Sequence, residues 1–171
     1  MSPSRRKRIV VTDANVLINL IHVRRLGLLG ALSDYEFVVP PEVEAEVKTP
    51  KHAKALAQAF AKNHMQRQSF TTTNELQLYA EHAKVLGKGE SACLAMAEKH
   101  GLYLASDERR KFQRLCEARL GKGRLVNTPG IYVLAIRDHL LTVREADTDK
   151  RTLEKHRFKM NFSSFGELIQ I

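Results

Sequence analysis

Arg8-Ile9-Val10-Val11-Thr12-Asp13-Ala14-Asn15-Val16-Leu17-Ile18 is the stretch that decides the fold. Ile9 to Thr12 are all β-branched and stop at an acid, the pattern of a strand buried in a sheet. After Asn15 the period changes: Val16, Leu17, Leu20 and Ile21 recur at helical spacing, which predicts a helix from Asn15 to Leu32. A strand running straight into a helix is the first half of a crossover unit. Glu36–Val39 reads as a second strand, stopped by Pro40-Pro41, with Pro41 in the first turn of a helix ending near Lys48. Helices are expected at Lys51–Met65 and at Asn74–Leu86, the latter with Asn74 as N-cap. Gly87-Lys88-Gly89 then punctuates the chain before a helix over Glu90–His100, with Gly101 where a C-capping glycine belongs.

The alternation continues with a strand at Leu102–Ala105, a helix at Glu108–Leu120, a strand at Arg124–Asn127 and a helix capped by Thr128-Pro129 and running through Leu141. Strands joined by helices require crossover connections, so the fold class is α/β: a mostly parallel central sheet in a three-layer α/β/α sandwich. Residues 1–8 read as a basic arm, 9–142 as the main domain, and 143–171 as a helical extension packed on that domain. No repeat, low-complexity stretch or long linker divides the chain.

Hydrophobic residues make up 43% of the 171 and charged residues 27%, enough for a genuine core and against general disorder. The net charge is +9; removing Arg5, Arg6, Lys7 and Arg8 leaves +5 (9 − 4) on the body. The excess is therefore not a tail effect, and a basic surface attracts polyanions, nucleic acid above all. Cys93 and Cys116, the two cysteines, sit in helical segments and form neither a disulfide framework nor a zinc pattern. That suits reduced thiols in a cytoplasmic protein. No apolar run spans a membrane, and Asp13, Asn15 and Asn19 interrupt what would otherwise follow a basic signal-like start.

Four acids are brought to one rim by connection geometry. Ligands of open α/β sheets bind at the carboxyl ends of the strands. Asp13 follows the first strand directly and Asp107 follows Ala105 after one residue. Glu90 opens the helix that leads antiparallel into that strand, and Glu46 lies one turn into the helix leaving the second. Singly, each has a plainer role as a helix cap, a dipole partner or a solvated residue. Jointly, they repel: two carboxylates ~4 Å apart cost on the order of 4 kcal/mol at an effective dielectric of 20. Such a cluster calls for a counter-ion, and all-oxygen ligands suit Mg2+ or Mn2+. An ion there activates water and neutralises a phosphodiester oxygen, with no nucleophilic side chain required.

Four motifs in order carry a family resemblance: Val10–Ile18, Val39–Val47, Gly87–Ala97 and Leu102–Arg110. Together they resemble the PIN-domain family from Ile9 to about Leu141. The resemblance implies metal-dependent RNA cleavage, frequent homodimers, and Asp13, Glu46, Glu90 and Asp107 as catalytic and metal-site acids. It further implies that Asn15 and Ser106 orient the first and last of them. Many members are VapC-type toxins held inactive by a small antitoxin protein. Glu42 is the alternative to Glu46 within the second motif, and Glu108 either shares the metal or faces solvent. Lys88, Arg109, Arg110 and Lys111 lie near the rim, as RNA phosphate contacts or as ordinary solvated residues.

Rival readings are a non-catalytic nucleic-acid-binding or interaction domain and a structure-specific DNA nuclease. The seven histidines show no close ligand spacing, Ser91 and Ser163-Ser164 lack a base, and Gly87-Lys88-Gly89 is too short for a phosphate loop.

Overall fold

The computed structural model describes residues 4–169; Met1, Ser2 and Pro3 of the expected arm and the last two residues of the expected ending lie outside it. Among the described residues five parallel strands form the sheet: β1 (Arg8–Thr12), β2 (Tyr35–Val39), β3 (Gln66–Arg67), β4 (Tyr103–Ala105) and β5 (Leu125–Val126), in the order β3-β2-β1-β4-β5. Val10 pairs with Phe37 on one side and Tyr103 on the other, so β1 is central. Arg8, expected in both the arm and the first strand, belongs to the strand, and Arg5 lies 3.9 Å from Asp34.

The helices are α1 (Ala14–His22), α2 (Gly27–Ala31), α3 (Pro41–Glu46), α4 (Pro50–Ala61), α5 (Thr73–His82), α6 (Lys88–His100), α7 (Lys111–Leu120), α8 (Thr128–Arg137) and α9 (Val143–Lys155), before a 3-10 turn at Phe165–Glu167. From β1 the chain steps to β2 and β3, then returns past β1 to β4 and β5. Right-handed crossovers therefore put α1, α2 and α4 on one face and α5, α6 and α7 on the other. Helices α8 and α9 join the α1 layer, while α3 bridges the rim and touches both α1 and α6. Val11, Leu17, Leu20, Leu94, Leu104 and Ile131 are fully buried between the layers.

Several boundaries differ from expectation, each for a local reason. The single helix over Asn15–Leu32 is two, because Arg24 takes a left-handed φ of 57° and Arg25 N–H closes back on Leu20 O at 2.8 Å. That is a glycine-type helix ending made without glycine, and Arg25 is held by Asp149 at 2.7 Å. Strand β3 escaped the sequence reading because it is two exposed polar residues. It pairs Val38 and Val39 with Gln66 and Arg67, and the Arg67 guanidinium binds Glu44 while lying 4.0 Å over the Phe60 ring. The N-cap of α5 is Thr72, in a reciprocal capping box with Glu75, rather than Asn74. Asn127, rather than Thr128, caps α8.

The segment after residue 142 is built into the core. Thr142 and Glu145 make a second capping box at the start of α9, whose Ala146 and Leu153 are fully buried. Asp149 accepts from Tyr132 Oη at 2.8 Å, and the fully buried Phe165 stacks on Tyr132 at 5.1 Å between ring centroids. Phe165→Ala should accordingly cost about 3–5 kcal/mol in urea denaturation, whereas Leu168→Ala, at a site 39% exposed, should stay within about 0.5 kcal/mol. Equal small effects would show that this segment merely lies on the surface.

Candidate functional site

Strand order reverses between β1 and β4, and in a parallel sheet that switch point opens a crevice at the carboxyl ends of the strands. Asp13 and Asp107 flank it. Asp13 is 3% exposed, its backbone N–H donates to Ala105 O at 2.9 Å, and its Oδ1 accepts from Ala14 N at 2.8 Å. It is thus the N-cap of α1, the plainer role the sequence allowed. Capping requires no burial, however, and the second oxygen faces inward to accept from Ser106 Oγ at 3.1 Å. Burial, with Glu90 and Glu46 adding to it, raises the Asp13 carboxyl from 3.8 to about 6.

Glu46 ends α3 and reaches across to α6, where its Oε1 accepts from Gly89 N at 2.9 Å. A Cβ on residue 89 would lie 2.7 Å from both Glu46 oxygens, so the close approach depends on glycine. Glu90, next in the first turn of α6, is half-buried; burial raises its carboxyl, and Glu108 and Glu46 raise it further. Three of the expected acids, Asp13, Glu46 and Glu90, therefore share one field. The two left open at the sequence level adjoin it. Glu108 accepts from Asn15 Nδ2 at 3.3 Å, and Glu42 has a buried Oε2 with no hydrogen-bond partner. The fully buried Cys93 registers the same field: burial lifts its thiol well up, with Asp13, Glu46 and Glu42 adding to the effect.

Asp107 is held differently. Its Oδ1 accepts from Thr128 N at 2.7 Å, and its Oδ2 from Thr128 Oγ1 at 2.5 Å and Asn19 Nδ2 at 2.8 Å. Burial raises this carboxyl against the opposing pull of Thr128, Asn19 and Arg109. Asn15 Oδ1 accepts from Asp107 N at 3.1 Å, and Ser106 Oγ accepts from Glu108 N at 3.1 Å. These bonds hold residues 106–109 out of helix, which is why α7 starts at Lys111 and not at Glu108. Arg110 turns the chain with a φ of 55°.

Asn19, Thr128 and Gly89 were not singled out from sequence. Asn19 lies one turn after Asn15 in an otherwise apolar helix, a legible sign that both polar side chains face the rim; Thr128 reads in sequence only as a cap. Lys88, Arg109 and Arg110 are exposed around the rim, and Arg109 Nη2 donates to Lys159 O at 3.3 Å. A cleft of about 790 Å³ runs from Ser106, Asp107 and Glu108 to Phe158 and Phe162 of the C-terminal segment.

Among the described residues no ion pair involves Asp13, Glu46, Glu90 or Asp107. Nor are any three His, Cys, Asp or Glu donors among them close enough to share one ion as they stand. The donor chemistry nonetheless fits a hard divalent cation: it is all oxygen, its charges oppose one another, and one buried carboxylate oxygen has no partner.

Moving Asp13 from 3.8 to about 6 withholds about 3 kcal/mol from the folded state once the group ionises. Below the unfolded value both states are protonated and nothing is lost. Between the two values only the folded state keeps its proton, so stability falls as pH rises through that window. In chelator, Asp13→Asn should be more stable than wild type by about 1–3 kcal/mol near neutral pH, and the difference should vanish in acid below the unfolded value. An Asn variant equal to wild type at every pH would make Asp13 an ordinary cap.

No helix among the described residues is long and apolar enough to cross a membrane. No curated protein matches the chain. A family model for PIN domains matches residues 9–146, well over half of the sequence. With the parallel sheet and its flanking helix layers, this sets the resemblance of the four motifs on firm ground: the chain belongs to the PIN-domain family, a nuclease-type fold.

Proposed function

We propose that this chain is a metal-dependent endoribonuclease that hydrolyses RNA phosphodiester bonds. The observation that carries the reading is the shared field of Asp13, Glu46 and Glu90 at the switch point of a PIN fold. A bound Mg2+ or Mn2+ supplies an activated water and positive charge at the phosphodiester. The remaining work falls to the chain. Asp13, Glu46, Glu90 and Asp107 are the ligand carboxylates, with Glu42 and Glu108 in reserve beside them. Ser106 aims Asp13, Gly89 N–H aims Glu46, and Asn15, Asn19 and Thr128 fix Asp107 and the loop that carries it. Lys88, Arg109 and Arg110 contact RNA phosphates along the rim, and the cleft walled by Phe158 and Phe162 receives the adjoining nucleotides.

The proposal extends to a toxin restrained by an antitoxin protein, and to a homodimer. Leu76 and Val85, 54% and 58% exposed on and just after α5, offer apolar surface to either partner. The free, buried thiols of Cys93 and Cys116 suit a reducing cytoplasm.

A cleavage assay on RNA and DNA tests the reading. RNA should be cut with magnesium or manganese and spared in chelator, and Asp13→Asn should lose orders of magnitude in rate while remaining folded. Preferential cutting of DNA would favour the DNA nuclease, and no cutting of either a binding domain. Gly89→Ala separates chemistry from stability. Alanine is the better helix former, by at most about 1 kcal/mol at this first-turn position, but its Cβ evicts the Glu46 carboxylate. The melting temperature should hold or rise while metal affinity or cleavage falls about 10–100-fold. Undiminished cleavage would remove Glu46 from the site.

A further inference from the structure

A second cavity, of about 600 Å³, lies between the α1–α2 turn, α4 and the end of α9. The histidines are scattered along the sequence, yet folding collects four of them here. His22 and His156 stack at 3.8 Å with their planes 14° apart, His52 meets His22 edge-on at 5.2 Å, and His64 closes the wall against α2. Lys51 and Lys54 from α4, Lys62 after it and Arg24 from the α1–α2 turn complete the charged lining, which contains no Asp or Glu. None of these cations is ion-paired among the described residues. The Nδ1 of His22 is buried with no hydrogen-bond partner.

An ion pair with another element is thus not what these groups are arranged for. A metal site is not either. The stacked rings of His22 and His156 are nearly parallel, so their in-plane lone pairs cannot converge on one ion, and the lysines would repel it. The lining is complementary to an anion. Its flat imidazoles and flexible ammonium groups fit phosphate oxygens with neighbouring bases. It sits at the far end of α1 from Asp13, about 13 Å along the helix axis.

We propose that this histidine–lysine cavity is an RNA-docking site, holding backbone phosphates of the strand whose scissile bond lies at the acidic rim. It rests on the ribonuclease reading for the choice of RNA over other polyanions. Burial, His156, His52 and Lys51 all disfavour charge on His22. A phosphate in the cavity reverses that balance, so docking is coupled to proton uptake and tightens as pH falls.

The test is binding of a fluorescent 2′-O-methyl RNA to the full chain in chelator, where cleavage cannot occur and the uncompensated carboxylates contribute no attraction. Affinity should rise from pH 8 to pH 5.5 and should fall about tenfold or more, with a shallower salt dependence, in K51E/K54E. Both lysines are exposed on α4, and circular dichroism checks that the helix persists. His22→Gln, with its fold checked in the same way, should flatten the pH dependence. In wild-type protein, RNA should move the imidazole resonances of His22, His52 and His156, a reading independent of any variant. Unmoved resonances, or RNA affinity indifferent to K51E/K54E, would overturn the proposal, as would tighter binding of polyglutamate than of RNA, which would mark a surface for an acidic protein. Failure of the ribonuclease reading looks different: RNA would dock in this cavity, yet remain uncut with magnesium or manganese.

Discussion

Repulsion among carboxylates at the carboxyl end of β1 is the constraint around which the rim is arranged. Asp13 is buried at the end of β1, and Glu46 and Glu90 bear on it from two other elements. A sequence selected for stability alone would disperse such charge or pair it with lysine. Here the nearby cations stay at the exposed rim, and the donors that do reach the acids are neutral: Ser106, Gly89 N–H, Asn19 and Thr128. Neutral donors orient a carboxylate without discharging it. The negative potential therefore survives, aimed at the crevice, for a cation to use.

Those donors also explain the architecture nearby. Helix α3 is short and bridges the two helical layers, and in doing so it lets Glu46 reach the glycine at the start of α6. The α7 helix is delayed by three residues because Asn15 and Ser106 claim the backbone of Asp107 and Glu108. The C-terminal segment, anchored through Asp149, Tyr132 and Phe165, forms the far wall of the cleft that opens on Asp107.

Much of this was legible in the chain. Short β-branched and apolar runs between helical patterns located β1, β2, β4 and β5, and the rule that ligands gather at strand carboxyl ends placed Asp13, Glu46, Glu90 and Asp107 at one edge. Illegible features share a cause: each depends on a tertiary partner. Strand β3 has no apolar pattern of its own and exists by pairing with Val38 and Val39. Arg24 ends α1 without the glycine that marks such endings, and Arg25 after it is bound by a residue far along the chain. The histidine cavity joins residues 22, 52, 64 and 156, separations no local spacing rule can connect. Thr128 looked like a cap because its contact with Asp107 spans two elements.

Titration of the side-chain carbons of these carboxylates by 13C NMR measures directly whether they act as one cation site. In metal-free protein, Asp13 should titrate near 6 and Glu90 above its ordinary range. Saturating magnesium should carry both below their ordinary values, because a bound cation favours the charged forms. Ordinary titration of Asp13 without metal, or an Asp13 value near 6 that magnesium leaves in place, would contradict a shared site.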